Sequence, residues 1–145
     1  MVAWLECEWG QGMGSETTVR EMMRPAVTTV ERHAHLAAAA YLMRHSGDTA
    51  VVVTSDDEAR RPLAIVTEAD VTDAVADGKD VNEVRIEELV GREPMIARPD
   101  TTIGEAVELM LSARIHHLPV VEDDRLLGIV DITDACRALV SVTEA

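Results

Sequence analysis

The chain contains one sequence pattern twice, and this internal repeat constrains its fold more than any other feature. Residues 27–43 align with residues 94–110 at an offset of 67. At this offset Leu36 pairs with Ile103, Ala39 with Ala106, Leu42 with Leu109 and Met43 with Met110. Further along, Ile65-Val66 aligns with Ile129-Val130, and Asp70 with Asp134, at an offset of 64. A unit of roughly 60 residues buries only part of its apolar surface alone, so we expect the two copies to fold as one body.

Each copy carries the same order of local patterns, which predicts a β-α-β-β-α unit. Short extended pieces open the copies at 27–30 and 95–97. A helix follows in each, because apolar residues recur at the i, i+3, i+4, i+7 spacing of one helix face. The residues on these faces are Leu36, Ala39, Ala40 and Met43, and then Ile103, Ala106, Val107 and Met110. The remaining elements are strands 50–53 and 63–66 with helix 68–76, and strands 118–121 and 127–130 with helix 132–140.

The predicted fold class is therefore α/β (α+β), with two β-α-β-β-α repeats packed about a pseudo-twofold axis. Asp100, Thr101 and Thr102 provide the helix-capping side chains that the second copy needs. We predict the following organisation. A poorly ordered leader covers 1–17, copy one covers 18–77, a polar linker covers 78–84, copy two covers 85–141 and a tail covers 142–145.

The charge of the chain excludes several classes of partner. A formal net charge of −14 argues against nucleic-acid binding and against docking to anionic membranes, since both need clustered Lys and Arg. The first 16 residues lack the basic and apolar regions of a signal peptide, so we expect a cytoplasmic protein. Cys7 and Cys136 are interpreted as reduced thiols, because two cysteines make neither a disulfide framework nor a zinc cluster.

Three segments carry a resemblance to a known family: VREMM at 19–23, AIVTEAD at 64–70 and LPVVEDDRLLGIV at 118–130. In this order the sequence resembles the CBS-domain family, and specifically a free-standing CBS pair, over roughly residues 18–140. The resemblance implies two clefts between the repeats that hold adenosine-containing ligands such as AMP, ADP, ATP or S-adenosylmethionine. It also implies a homodimer, signalling through an unknown protein target, no catalytic activity and no required cofactor.

The family's ligand pattern ends in a Ser or Thr and, three residues later, an Asp. In copy one these are Thr67 and Asp70, while Ala64 replaces the family's Gly and crowds the approach of a ligand. The Asp carboxylate can accept hydrogen bonds from both ribose hydroxyls, and the Thr hydroxyl and the helix amides can face phosphate. The alternative is that Thr67 and Asp70 only cap the last helix of the copy.

Copy two departs from this pattern at one position. Gly128 and Asp134 are present, but Asp131 occupies the place of the hydroxyl residue, where its charge would repel a phosphate. Thr133 still offers a hydroxyl to phosphate. Glu31 is expected in the same cleft, which makes this cleft unfavourable for anions. The sequence therefore favours one functional nucleotide site over two.

Basic residues of copy two are expected near phosphate, with Arg98 in the cleft of Thr67 and Asp70 and the two histidines in the acidic cleft. Arg98, directly before Pro99, is expected to bring a guanidinium to the phosphate of the ligand held by Thr67 and Asp70. His116 and His117 precede a strand at a place where related pairs carry basic residues. Neighbouring strand residues point to opposite faces, so at most one of the two histidines faces a given ligand. Ordinary strand packing of both is the alternative.

Two other functions are alternatives to a ligand-binding regulatory protein. An interaction-only protein would keep the dimer but bind no ligand, and Ala64, Asp131 and the net charge favour it. An enzyme is disfavoured, because the sequence has no nucleophile–base pair, no Gly-rich phosphate loop and no cluster with metal-ligand spacing. Trp4 and Trp9 in the leader have no assigned role.

Overall fold

The computed structural model describes residues 17–25 and 28–144 of the chain. The helices are α1 (Val19–Met22), α2 (Leu36–Ser46), α3 (Glu68–Ala76), α4 (Ile103–Ala113) and α5 (Ile132–Glu144), and a short 3₁₀ helix covers Ile86–Glu88. The strands are β1 (Thr29–Glu31), β2 (Ala50–Thr54), β3 (Pro62–Thr67), β4 (His117–Glu122) and β5 (Arg125–Asp131). The predicted α+β class is confirmed.

The structure departs from the predicted elements at the start of each copy. The extended piece predicted at 95–97 is wrong as a strand, because only Ala97 pairs there, in a single parallel bridge with Val120. Pro94 and Pro99 flank the piece, and a proline has no N–H to donate to a ladder, so the pairing ends after one bridge. In copy one a true strand forms at 29–31, and the predicted start at 27 lies outside the described residues.

The chain divides into two compact units that do not follow the sequence copies. We name them after the copy that supplies most of each. The copy-one unit contains the described residues of 26–95 together with 123–127. The copy-two unit contains those of 1–25, 96–122 and 128–145. The segment before each copy therefore packs in the unit of the other copy, and each unit is described by itself below.

The copy-one unit contains a three-stranded sheet with β2 in the centre. β1 pairs with β2 in parallel, with Thr29 opposite Val52, and β2 pairs with β3 antiparallel, with Val52 opposite Ile65. The segment that leads into the 3₁₀ helix contacts α2, where Leu36, the first residue of α2, donates its N–H to the carbonyl of Val84 at 2.9 Å. The core of this unit consists of Val30, Leu36, Ala39, Met43, Val51, Val53, Ala64, Val66, Ala74 and Ile86.

The copy-two unit is built on the same plan. α1 lies beside the start of α4, where Val19 donates its N–H to the carbonyl of Thr101 at 2.8 Å. Thr102 caps α4 in a capping box with Glu105, as the sequence predicts. The second sheet consists of β4 and β5. The core of the unit consists of Val19, Ala97, Ile103, Ala106, Met110, Leu118, Val120, Val130 and Ala135.

Candidate functional site

Thr67 and Asp70 lie where β3 ends and α3 begins, and they form a capping box. Asp70 Oδ2 accepts hydrogen bonds from the Thr67 backbone N–H at 2.8 Å and from the Thr67 hydroxyl at 3.1 Å. The Asp70 backbone N–H donates to Thr67 Oγ1 at 3.4 Å. Within residues 17–25 and 28–144, nothing donates a hydrogen bond to Asp70 Oδ1. The carboxylate therefore caps the helix with one oxygen and keeps the other as an acceptor.

Asp131 and Asp134 occupy the equivalent places at the end of β5 and the start of α5. Asp131 Oδ1 accepts a hydrogen bond from the Asp134 backbone N–H at 2.7 Å. An aspartate is as good an N-cap as a threonine. Asp131 therefore performs for α5 the capping role that the Thr67 hydroxyl performs for α3.

Arg24 lies against both of these carboxylates, and the sequence analysis did not identify it. Its Nη2 donates a hydrogen bond to Asp131 Oδ2 at 3.1 Å, and its Nε lies 3.2 Å from Asp134 Oδ2. The second contact is an ion pair rather than a hydrogen bond. The side chains of both aspartates are 18% exposed. The expected cluster of acidic side chains therefore contains a cation of its own.

Burial and the neighbouring charges act on Asp134 in opposite directions. Burial raises the pKa of Asp134 above its ordinary value of 3.8, and the negative charge of Asp131 raises it further. Arg24 lowers the pKa but does not cancel the rise. Asp134 is thus held in a place that penalises its charge, and Arg24 reduces that penalty.

The packing of the chain requires a glycine at position 128. A Cβ at this position would lie 2.7 Å from the carbonyl oxygen of Arg24 and 2.9 Å from Met23 Sδ. The backbone of Arg24 pairs with Ile129 in both directions, at 3.0 and 3.1 Å. The sequence analysis assigned this glycine to the approach of a ligand, but in this structure it makes room for residues 23–24. The crowding of a ligand by Ala64 in copy one stays a prediction.

Arg98 and Pro99 lie in the loop before α4. The Arg98 side chain is exposed, and its backbone N–H donates to Thr101 Oγ1 at 3.0 Å. Pro99 is buried, and its carbonyl accepts a hydrogen bond from the N–H of Arg20 at 3.2 Å. Arg98 is therefore accessible to an anion, whereas Pro99 is held in the packing of the copy-two unit.

The two histidines differ in burial. His116 is exposed and precedes β4, whereas His117, the first residue of β4, is buried. Thr133 is exposed on the first turn of α5, and Glu31 is exposed at the end of β1. The structure thus brings together Thr67 with Asp70, and Arg24 with Asp131 and Asp134. The placement of Arg98, His116, His117 and Thr133 around a ligand remains a prediction.

Arg24 could have been found from the sequence by one comparison. The segment that carries the family resemblance before copy one ends at residue 23, one residue too early. At the repeat offset of 67, Arg24 aligns with Gly91, so a cation stands in one copy where the other has no side chain. The sequence does not say that residue 24 packs in the unit of the other copy, and this placement is what brings it to Asp131.

Within residues 17–25 and 28–144, no group of three or more His, Cys, Asp or Glu side chains is arranged to hold a metal ion. None of the helices in these residues combines the length and the apolar character that a membrane span requires. The leader, with Trp4, Cys7 and Trp9, lies outside the described residues.

Several known proteins have similar sequences. The chain is similar to an uncharacterized protein of Methanopyrus kandleri, with 33% identity over 119 residues, and spans 60% of that protein's length and 81% of its own. It is 32% identical to hypoxic response protein 1 of Mycobacterium tuberculosis over 124 residues, which cover 85% of each chain.

Solved structures of similar fold have CBS domains as well. A CBS-domain protein from Agrobacterium tumefaciens superimposes with a TM-score of 0.76 at 29% identity, over 90% of this chain and 97% of that one. The hexameric CBS-CP12 protein from bloom-forming cyanobacteria has a TM-score of 0.75 at 28% identity, over 82% of this chain and 69% of that one. A Pyrobaculum aerophilum CBS domain protein, complexed with AMP, has a TM-score of 0.78 at 23% identity, over 88% and 99%.

The family model of the CBS domain matches the chain twice, at residues 19–77 and 86–141. These two matches agree with the internal repeat of the sequence. The chain belongs to the CBS-domain family and is a CBS-pair protein.

Proposed function

We propose that this chain is a non-catalytic regulatory protein that binds one adenosine-containing ligand through Thr67 and Asp70 of copy one. The ligand is AMP, ADP, ATP or S-adenosylmethionine. The proposal depends above all on Asp70, whose Oδ1 is an acceptor without an internal donor among the described residues. Its counterpart Asp134 has an arginine nitrogen 3.2 Å from Oδ2 and another 3.9 Å from Oδ1.

A ribose suits this arrangement chemically. Its two neighbouring hydroxyls donate hydrogen bonds, and a carboxylate accepts such bonds more strongly than a neutral group does. Hydrogen bonds to a charged group contribute about 1.5–3 kcal/mol. A phosphate attached to that ribose needs a cation, and the exposed guanidinium of Arg98 is our candidate for it.

The similar protein that is complexed with AMP supports the class of ligand. At 23% identity it supports the fold of this chain and does not indicate which residues bind. The family match adds the regulatory role, and we propose that the ligand acts by changing how the chain binds a protein target.

One observation favours the alternative, a scaffold that binds no ligand. The Thr67 hydroxyl donates to Asp70 Oδ2 and accepts from the Asp70 backbone N–H. A hydroxyl engaged in this way has little capacity left for a phosphate. A capping role alone would account for Thr67, and only Asp70 Oδ1 and Arg98 would then be open to a ligand.

Calorimetric titration with AMP, ADP, ATP and S-adenosylmethionine tests the proposal. We expect one site per chain for at least one of these compounds. Asp70→Asn should weaken binding roughly 10- to 100-fold, because it replaces a charged acceptor by a neutral one. The matched control is Asp73→Asn on the same helix, where Asp73 is exposed and outside the capping box.

A thermal-unfolding series separates the sensor from the scaffold. A ligand at 100 times its dissociation constant adds about 2.7 kcal/mol to the free energy of unfolding. A chain that gains no stability from any of the four compounds would be a scaffold, and the proposed function would be wrong.

We propose further that the chain forms a homodimer, located in the cytoplasm, with no nucleic-acid or membrane partner. The similar cyanobacterial protein is hexameric, which supports self-association in proteins of this fold. Large apolar side chains lie exposed in both units, and burying them would favour a second copy of the chain. These side chains are Tyr41, Val75, Met95, Ile96, Leu111 and Val140.

A further inference from the structure

The ion-pair cluster of Arg24, Asp131 and Asp134 lies at the copy-two position that matches the proposed ligand residues of copy one. Asp131 aligns with Thr67, and Asp134 with Asp70. All three members of the cluster belong to the copy-two unit. Their contacts are therefore internal to one packed body.

The main chain fixes Arg24 at this position before its side chain makes any contact. Its backbone N–H and C=O both pair with Ile129, and Gly128 leaves the space that this close approach requires. The guanidinium then reaches the end of β5, two residues beyond Ile129, where Asp131 and Asp134 lie. An arginine held in this way acts at a high effective concentration, so it competes strongly with any molecule from solution.

Copy one has nothing equivalent. Gly91 aligns with Arg24 and carries no side chain. In the described part of the chain, no backbone hydrogen bond joins Gly91 to Ile65, the residue that aligns with Ile129. The two copies thus differ at this position both in sequence and in structure. The difference lies beside Asp134, the counterpart of the Asp70 carboxylate that the proposed function uses.

We infer that Arg24 is a resident counter-ion that occupies the copy-two ligand position and so determines that the chain binds one adenosyl ligand. This inference rests on the proposed function. The guanidinium presents several N–H donors to the Asp131 and Asp134 carboxylates, which is what the two ribose hydroxyls would offer. The carboxylate at residue 131, unsuited to a phosphate, is suited to the arginine.

A role of Arg24 as a phosphate ligand is the competing explanation, and the charges argue against it. One guanidinium faces two carboxylates, so the cluster is not positive when both are ionised. An anion approaching Arg24 would have to displace Asp131 or Asp134, each of which is largely buried. Removing Arg24 should therefore open the copy-two position and leave binding at copy one unchanged.

The test is the number of AMP molecules bound per chain, measured by calorimetry. The variant Arg24→Gly with Asp131→Thr gives copy two the residues of copy one, Gly91 and Thr67. We expect one site in the wild type and two in this variant. Adding Asp70→Asn to the variant should leave one site, because copy two then binds alone. Arg137→Ala is the matched control, since Arg137 is 78% exposed and lies 3.9 Å from Asp134.

The outcomes separate this inference from the proposed function. A wild type that binds none of the four compounds, together with a variant that binds one of them, would refute the proposed function and support the inference. Two sites in the wild type, or no additional site in the variant, would overturn the inference.

A measurement without ligand covers the case in which the double variant does not fold. NMR titration of the Asp134 carboxyl in Arg24→Gln should show a higher pKa than in the wild type, and Arg137→Ala should leave it nearly unchanged. An unchanged titration in Arg24→Gln would show that Arg24 does not hold this carboxylate, and the inference would fail.

Discussion

Gly128 shows how closely two backbones approach at the end of the copy-two sheet. The carbonyl oxygen of Arg24 would lie 2.7 Å from a Cβ at this position, and a carbonyl in a paired segment cannot turn away. We predict that Gly128→Ala lowers the free energy of unfolding by about 1–3 kcal/mol, as overpacking in a core does. Urea unfolding followed by circular dichroism measures this change.

Gly104 provides the control for that substitution. It lies in the first turn of α4, where an added Cβ would meet only Thr102 Oγ1, at 4.0 Å. Gly104→Ala should therefore stabilise the chain, by up to about 1 kcal/mol, because alanine loses less conformational entropy in a helix. Equal effects of the two substitutions would show that the close approach at Gly128 is not a constraint.

The raised pKa of Asp134 predicts an unusual pH dependence of the free energy of unfolding. Because burial and Asp131 raise its pKa above 3.8, its charge lowers the free energy of unfolding at neutral pH. This penalty disappears as the pH falls through the raised pKa towards 3.8. Asp134→Asn has no such titration, so its stability relative to the wild type should decrease as the pH falls. Urea unfolding at several pH values between neutrality and 3.8 measures the difference.

Asp57 is the control of opposite sign. Its Oδ1 accepts a hydrogen bond from the Ser55 hydroxyl at 2.6 Å, and this bond, followed by the charge of Arg61, lowers the pKa of Asp57 below 3.8. The stability that Asp57 contributes is present above pH 3.8 and is lost as the pH falls below it. As the pH falls towards 3.8, the wild type should gain stability relative to Asp134→Asn. Below pH 3.8, the wild type should lose stability relative to Asp57→Asn. Parallel curves would contradict the assignment.

At the scale of single residues, the sequence predicted part of the candidate site. Thr67 and Asp70 were identified through the ligand pattern of the family that the sequence resembles. The same two residue types also form a capping box at a helix start, so the sequence left a cap and a ligand site open. Arg24 was missed because its partners are 107 and 110 residues away. Charge pairs that distant depend on which unit a segment packs in, and a local pattern carries no such information.

Among the elements, the start of α2 is completed by the segment between the copies. His35 is the N-cap of α2, and its side chain makes no capping hydrogen bond. Instead, the carbonyls of Val84 and Val81 accept hydrogen bonds from the N–H groups of Leu36 and Ala37, both at 2.9 Å. Residues that were predicted to form a polar linker thus complete the first helix of copy one.

We predict that Ile86→Ala destabilises the chain by about 2–5 kcal/mol, the range for large-to-small substitutions in a core. Ile86 is fully buried and packs in the core of the copy-one unit, so its removal leaves a cavity there. Val75→Ala is the control, because Val75 is 60% exposed on α3, and it should change stability by less than about 0.5 kcal/mol. A small effect of Ile86→Ala would mean that the segment is not part of the folded core.

The regular elements were predicted well because their apolar patterns are long. The helix predicted at 68–76 agrees with α3 at both ends, and α2 and α4 begin at the first apolar residue of their patterns. α1 and the 3₁₀ helix, with four and three residues, were not predicted. Elements of one turn show no periodicity, and these two make tertiary hydrogen bonds that no local pattern predicts, from Val19 to Thr101 and from Ile86 to Ala34.

For the whole molecule, the dominant electrostatic feature is a net charge of −14. The basic side chains of the described residues do not form a positive patch, because several already contact nearby carboxylates. Examples are Arg20 with Glu122, Arg32 with Asp56 and Arg61 with Asp57. Each of these pairs is exposed and contributes little to stability. Two copies of this chain therefore repel one another over most of their approach.

This repulsion predicts that the proposed homodimer tightens with salt. The screening length falls from about 30 Å at 0.01 M salt to about 8 Å at 0.15 M, so the long-range repulsion between two copies is largely removed while apolar burial at the interface is retained. We expect the dissociation constant from sedimentation equilibrium to decrease across this range. An increase would show that oppositely charged side chains meet across the interface, since salt weakens such pairs. A monomer at every salt concentration would refute the homodimer.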